Sequence, residues 1–213
     1  MAAEKIAAFG IVPVVRVERA EEAEPLAEAL MRAGLPCAEI TFRTDAAEEA
    51  LRRIAAAFPS FFLAAGTVLS PEQVERAMAA GASAVVSPGL SPQTVEYCLR
   101  KGYPVFPGVC TPTEVQAALS YGLTHLKFFP AEAAGGLSML RAMSAVYPGV
   151  RFMPTGGITL QNLEDYLRCR AVFACGGSFM VPPQAMANGA WDEIEALTRA
   201  AVERVGKVRE VCV

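Results

Sequence analysis

Lys127 is the residue whose surroundings demand a chemical explanation. The chain holds four lysines against fifteen arginines, and Lys5, Lys101 and Lys207 lie near a terminus or a helix end, where lysines are solvated. Lys127 stands instead between Leu126 and Phe128 in an apolar run. A buried ammonium is costly unless it is paired or neutralised. One explanation is a structural ion pair, or a side chain exposed at a rim. The other is a nucleophile. An ordinary lysine amine, with a pKa of about 10.4, is neutral in only about 0.04% of molecules at pH 7, and desolvation together with a nearby cation can raise that fraction several hundred-fold. A neutral amine can attack a ketone, and the resulting iminium draws electrons out of a neighbouring C–C bond.

Glu39, Thr41 and Arg43 alternate along one strand-like run and so share a face. If that face meets the cavity of Lys127, Glu39 is a candidate general acid/base for the proton transfers of iminium chemistry. Arg43 suits a substrate carboxylate, because its fork binds two oxygens at once, and its charge would oppose an ammonium at Lys127. The plain alternative is a Glu39–Arg43 salt bridge. Two glycine-rich segments, Thr155-Gly156-Gly157-Ile158-Thr159 and Gly176-Gly177-Ser178, are read as turns whose backbone N–H groups can cradle a phosphate, with the Ser178 hydroxyl as a further donor. Tight turns without a ligand are the alternative. His125, two residues before Lys127, is expected to pack rather than to react, and Trp191 is expected to anchor the last helix.

The elements that must position these residues repeat one pattern: a short β-branched or aromatic strand, a turn, an amphipathic helix and a glycine. Gly34, Gly81, Gly102 and Gly122 each close a helical stretch. Ser70-Pro71, Ser91-Pro92 and Thr111-Pro112 each place a hydroxyl at an N-cap with proline in the first turn, and Gln73 and Glu114 complete capping boxes. The pattern predicts strands over 11–16, 36–42, 61–66, 84–87, 103–107, 124–128, 151–154 and 172–175. It predicts helices near 20–33, 45–57, 70–80, 91–101, 112–120, 136–146, 159–168 and 190–206, with a short helix ahead of the first strand. Strict β-then-α alternation implies a parallel sheet. Eight units leave about 27 residues each, which suits an α/β single-domain (β/α)8 TIM barrel with an N-terminal helix. A doubly wound open sheet is the rival architecture. No linker-like stretch interrupts the pattern, so residues 1–213 read as one domain. In a barrel of this kind function collects at the C-terminal ends of the strands, where the residues named above fall.

Composition narrows the partners. Apolar residues make up 53% and charged residues 19% of the chain, as in a compact globule rather than a disordered one. Net charge is −3 and no basic run exceeds two residues, which argues against a nucleic-acid partner. The apolar stretch from Ile6 to Val15 is broken by Gly10 and Pro13 and is too short to span a bilayer, so no membrane association is expected. The six cysteines, at 37, 98, 110, 169, 175 and 212, form no C-x-x-C pair and read as free thiols of a cytoplasmic protein. A single histidine makes a metal-dependent aldolase or epimerase hard to assemble, and no metal is expected.

Several segments in order resemble the 2-keto-3-deoxy-6-phosphogluconate (KDPG) / 2-keto-4-hydroxyglutarate (KHG) aldolase family. They are Val12-Pro13-Val14-Val15, Glu39-Ile40-Thr41-Phe42-Arg43-Thr44, Ala65-Gly66-Thr67-Val68, Ser87-Pro88-Gly89-Leu90, Pro107-Gly108-Val109, Thr111-Pro112-Thr113-Glu114, Lys127-Phe128-Phe129-Pro130-Ala131-Glu132, Pro154-Thr155-Gly156-Gly157-Ile158 and Gly176-Gly177-Ser178. The resemblance implies a homotrimer of barrels with no cofactor and no metal, and a Schiff base between Lys127 and the 2-keto carbon of a phosphorylated 2-keto acid. It implies Glu39 as acid/base, Arg43 and Thr67 at the pyruvyl carboxylate, Pro88 and Phe129 as pocket walls, and Gly156, Gly157 and Ser178 at the phosphate. Thr155 fits the pocket of the gluconate rather than the galactonate substrate. Ala64-Ala65, Phe42 and Phe179 depart from the family's common Gly-Ala, Leu and Trp, which touches substrate preference rather than reaction type. Two alternatives stay open here: an aldolase for the C4 epimer, and a non-catalytic sugar-phosphate-binding barrel.

Overall fold

The computed structural model describes residues 1–211, so Cys212 lies outside the described residues. Helix α1 (Ala2–Phe9) leads into β1 (Ile11–Val15), and the alternation then runs α2 (Ala23–Arg32), β2 (Cys37–Thr41), α3 (Ala47–Ala57), β3 (Phe62–Gly66), α4 (Pro71–Ala79), β4 (Ala84–Val86) and α5 (Pro92–Lys101). It continues with β5 (Val105–Phe106), β6 (Gly108–Val109), α6 (Pro112–Ser120), β7 (His125–Phe128), α7 (Gly136–Val146), β8 (Arg151–Pro154), α8 (Leu163–Leu167), β9 (Cys175–Gly177), α9 (Pro183–Ala187) and α10 (Trp191–Val211).

Local chemistry explains most of these limits. Ser70, Ser91 and Thr111 each accept a hydrogen bond from the N–H three residues on, and Glu114 returns the bond to the Thr111 N–H. Helix α5 ends where Gly102 turns left-handed at φ 70°. Helix α3 buries Ala47, Ala50, Leu51 and Ile54, the i, i+3, i+4, i+7 stripe of a helix lying on a sheet. Burying Leu51 and Ile54 contributes roughly 1.5–3 kcal/mol each. At the far end of the chain the Arg209 guanidinium donates to the Ala7 and Ala8 carbonyls, tying α10 to the end of α1.

All strand pairs are parallel. One sheet runs β5-β4-β3-β2-β1-β9 and the other β6-β7-β8. Isolated parallel bridges join Phe152 to Val172 and Thr155 to Gly176, so β8 also lies beside the segment that ends in β9.

Four expectations need correction. The strand expected over 103–107 is two pieces, because Pro107 has no N–H to continue a ladder: β5 pairs with β4, and β6 with β7. The strand expected over 172–175 forms instead at Cys175–Gly177, so Gly176 and Gly177 are paired strand residues opposite Val12 and Pro13 rather than a turn. The helix expected over 159–168 is reduced to α8, because Asn162 takes the Thr159 N–H and holds a loop there. The helix expected over 20–33 begins as a 3-10 turn at Ala20–Glu22 before α2. Helix α9, led by Pro182-Pro183, was not anticipated.

Candidate active site

Eight polar side chains are buried among the described residues, and five of them, Glu39, Thr41, Ser87, Lys127 and Thr155, lie in or just after β2, β4, β7 and β8. This concentration of polarity in an apolar interior marks the site. Lys127 is central in β7, with Gly108 beside it on β6 and Met153 on β8. Strand alternation sends Leu126 and Phe128 to one face and Lys127 to the other. There Lys127 Nζ lies 3.1 Å from Glu39 Oε1, a pair between residues 88 apart in sequence whose side chains are 5% and 1% exposed.

Glu39 is therefore partnered by Lys127 and not by Arg43. Its other oxygen, Oε2, is buried and has no hydrogen-bond partner among the described residues. A buried carboxylate oxygen is expensive to leave without a donor. The charged partner of the amine is thus the expected Glu39 carboxylate, while the Arg43 Nε donates to Thr41 Oγ1 at 3.1 Å. Thr41 in turn donates to the Val15 carbonyl at 2.9 Å, which fixes the end of β2 against β1.

Gly66 makes room for this carboxylate. Thr41 and Gly66 are paired across β2 and β3, and a Cβ built on Gly66 would overlap Glu39 Oε1 and approach its Cγ to 2.6 Å. Sequence reasoning gave Gly66 no role; the run Ala64-Ala65-Gly66, too small to fill space beside a charged strand, was the available signal. Thr67, next along, holds a left-handed φ of 57°, the one non-glycine to do so among the described residues.

Above the ion pair, Phe129 places its ring centroid 5.3 Å from Lys127 Nζ and also lines a cleft of 160 Å³. Arg43, Thr155, Gly156, Gly157 and Ser178 line the same cleft, together with Val14 and Ile158, which sequence reasoning had not singled out. Thr67 and Pro88 follow β3 and β4 and do not line it. A larger basin of 440 Å³ shares Val14, Arg43 and Ser178 and continues past Arg16 and Arg19.

One wall of the cleft is the turn after β8. Gly156 and Gly157 have φ of 97° and 80°. Three successive carbonyls of this turn are held from behind: Thr155 O by the Ala131 N–H at 2.8 Å, Gly156 O by the Glu132 N–H at 3.1 Å, and Gly157 O by Asn162 Nδ2 at 3.0 Å. In a trans peptide the N–H of the next residue points the opposite way. The N–H of Gly156 therefore points toward the Gly176 carbonyl, across the bridge between Thr155 and Gly176, while those of Gly157 and Ile158 face forward, and among the described residues no backbone carbonyl accepts from these two. Such a nest of N–H groups binds anions. Gly176 and Gly177 also line the cleft, but as buried residues of β9, and of this segment Ser178 is the exposed one.

The remaining candidates sit outside this chemistry. His125 stacks edge-on against Phe173 at 5.1 Å, and burial, helped by Arg151, holds its pKa below the ordinary 6.5. Trp191 heads α10 and packs half-buried against the core. Among the described residues no three His, Cys, Asp or Glu side chains converge as a metal site, and no helix is long and apolar enough to cross a membrane.

Comparison with known proteins bears on what such a pair does. The family model described as KDPG and KHG aldolase matches residues 3–197. A 2-dehydro-3-deoxy-phosphogluconate aldolase of Treponema pallidum is 47% identical over 196 residues, covering 92% of this chain and 93% of its own. The KHG/KDPG aldolase of Escherichia coli is 42% identical over 202 residues, covering 94% and 95%. Among solved structures, a KDPG aldolase of Legionella pneumophila superposes with a TM-score of 0.91 at 40% identity over 94% of this chain and 98% of its own; its crystal holds pyruvate captured at low pH as a covalent carbinolamine intermediate.

Proposed function

The chain belongs to the KDPG and KHG aldolase family, and from that premise we propose that Lys127 is its Schiff-base nucleophile and Glu39 the group that moves protons for it. The protein is a class I aldolase that cleaves 2-dehydro-3-deoxy-6-phosphogluconate to pyruvate and glyceraldehyde 3-phosphate. The observation that carries the residue assignment is the buried Lys127–Glu39 contact at 3.1 Å between residues 88 apart in sequence. A buried ion pair is poor value for stability, since apolar residues of similar volume hold a core as well or better. Its retention points to chemistry.

The reaction follows from the placement. The amine of Lys127 gives its proton to Glu39 and attacks the C2 ketone; the carbinolamine loses water, with Glu39 returning the proton, and leaves an iminium. Glu39 then takes the C4 hydroxyl proton as the C3–C4 bond breaks and its electrons flow into the iminium. Glyceraldehyde 3-phosphate departs, the enamine is protonated at C3, and water releases pyruvate from Lys127. In this reading Arg43 and Thr67 hold the C1 carboxylate, Pro88 and Phe129 bound the pyruvyl pocket, and Thr155 borders the sugar chain. The Gly156-Gly157 turn, with the Ser178 hydroxyl, receives the phosphate. 4-Hydroxy-2-oxoglutarate, acted on by the named KHG/KDPG relatives, uses the same first steps.

The same reading takes the two sheets as one closed (β/α)8 barrel within a single domain over 1–213. Its supports are the continuity of β5 with β6 across Pro107, the bridges from β8 to the 172–177 segment, and the pairing of β9 with β1. It takes the protein as a cytoplasmic homotrimer, with free thiols at Cys37, Cys98, Cys110, Cys169 and Cys175 suited to a reducing compartment, and light scattering should give three times the 22.6 kDa chain mass.

Borohydride with pyruvate tests the assignment: a stable adduct is expected on the peptide holding Lys127, and Lys127→Ala should abolish both adduct and turnover. An adduct on another residue would remove Lys127 from the mechanism.

A further inference from the structure

The turn that faces the cleft is held in shape by side chains that do not line it. Glu132 lies five residues beyond Lys127, and its N–H and that of Ala131 hold the Gly156 and Thr155 carbonyls. The segment that carries the nucleophile is thus also the floor of the turn. Gly157 rests directly on the Glu132 stem: a Cβ on Gly157 would come within 2.5 Å of Glu132 Cγ and 2.6 Å of its Cβ. The Glu132 carboxylate accepts from the Tyr166 hydroxyl of α8, a side chain 2% exposed. Burial, reinforced by Glu132, pushes the Tyr166 pKa up, so the phenol remains a donor at physiological pH. On the other side Gly136 opens α7 so close that a Cβ there would stand 3.0 Å from Glu132 Oε1 and 3.2 Å from the Tyr166 oxygen. Asn162 closes the frame, accepting from the Thr159 N–H at 2.8 Å while donating to the Gly157 carbonyl.

We propose that Glu132, Tyr166 and Asn162 are a positioning set that keeps the N–H groups of Gly157 and Ile158 convergent on the substrate phosphate. Affinity for a phosphorylated substrate then depends on residues that never touch it, while imine formation at Lys127 does not. The inference rests on the phosphate assignment made above and adds to it the Ile158 N–H and the frame behind the turn. Nucleophile and turn are held by the one segment from Lys127 to Glu132.

The test separates affinity from chemistry. Tyr166→Phe and Asn162→Ala are each expected to raise KM for KDPG about five- to tenfold with kcat within about twofold. The pyruvate concentration that half-saturates borohydride trapping should stay within about twofold of wild type, because pyruvate carries no phosphate. Glu132→Gln keeps the stem and an oxygen for Tyr166 and should behave as wild type, whereas Glu132→Ala should match Tyr166→Phe. Equal losses in KDPG affinity and pyruvate trapping, or no loss in either, would overturn the positioning role. If one variant fails to fold, the other two positions decide. Ser178→Ala distinguishes the two layers of the argument: if it raises KM for KDPG and the frame variants do not, only the frame is wrong, and if it leaves KM unchanged the phosphate assignment falls and the frame with it.

Discussion

Two glycine pairs that look alike in sequence, Gly156-Gly157 and Gly176-Gly177, do opposite things in the folded chain. The first pair needs its backbone: with φ of 97° and 80° it turns left-handed and presents N–H groups to the cleft. The second pair is ordinary extended strand, paired with Val12 and Pro13, and needs its missing side chains. A Cβ on Gly176 would overlap Thr155 Oγ1 and lie 3.1 Å from its Cγ2, and one on Gly177 would lie 2.9 Å from the Phe179 ring. Gly66 belongs with the second pair, since it too yields space, to Glu39. Glycine can thus be required for conformation or for room, and only its neighbours say which.

Alanine at each position separates the two requirements. The largest effect should come from Gly66→Ala, which displaces the Glu39 carboxylate from Lys127: kcat should fall on the order of 10²- to 10⁴-fold, as when a general acid/base is lost. A fully active variant would show that the carboxylate has room to spare. Gly176→Ala should act mainly on stability, lowering it by about 1–3 kcal/mol through overpacking against Thr155. Denaturant titration measures this, and an unchanged midpoint would mean that Thr155 yields freely. Gly156→Ala should cost only about 1–2 kcal/mol of backbone strain, because its built Cβ meets nothing nearer than 3.4 Å. Its distinguishing sign is a raised KM for the phosphorylated substrate. If Gly156→Ala and Gly176→Ala gave the same profile, the distinction between the pairs would be lost.

The smallest effect lies away from both pairs and serves as a baseline. Burial keeps the folded pKa of His125 below 6.5, so the unfolded chain takes up this proton first as pH falls. Its contribution to stability is present above pH 6.5 and is lost as pH drops through the folded value. His125→Gln should flatten that part of the stability profile while leaving turnover intact; an unchanged slope would show that the imidazole is solvated in both states.

What could be read from sequence was whatever near neighbours decide. Lys127 among Leu126 and Phe128, the hydroxyl-proline helix starts, the left-handed Gly102 and the strict β-then-α order all rest on interactions within a few residues. They were enough to propose a barrel and to single out the amine. Boundaries failed where a distant or side-chain partner intervened: Pro107 divided a strand between two neighbours, Asn162 shortened a helix, and the bridge from Thr155 to Gly176 moved the last strand. Whether Glu39 would meet Arg43 or Lys127 was left open, because alternation gives a side chain's face but not what lies opposite it.

The sequence by itself determined the elements, their order and the residue with the unusual surroundings, because propensity, capping and hydrophobic period act over a single turn or strand. Only the tertiary structure decided that Glu39 rather than Arg43 meets Lys127 across 88 residues, that Gly66 clears its space, and that one glycine pair is a turn and the other a strand. Those outcomes depend on which strands curl to face one another, and the excluded volume and charge that settle them belong to atoms far apart along the chain.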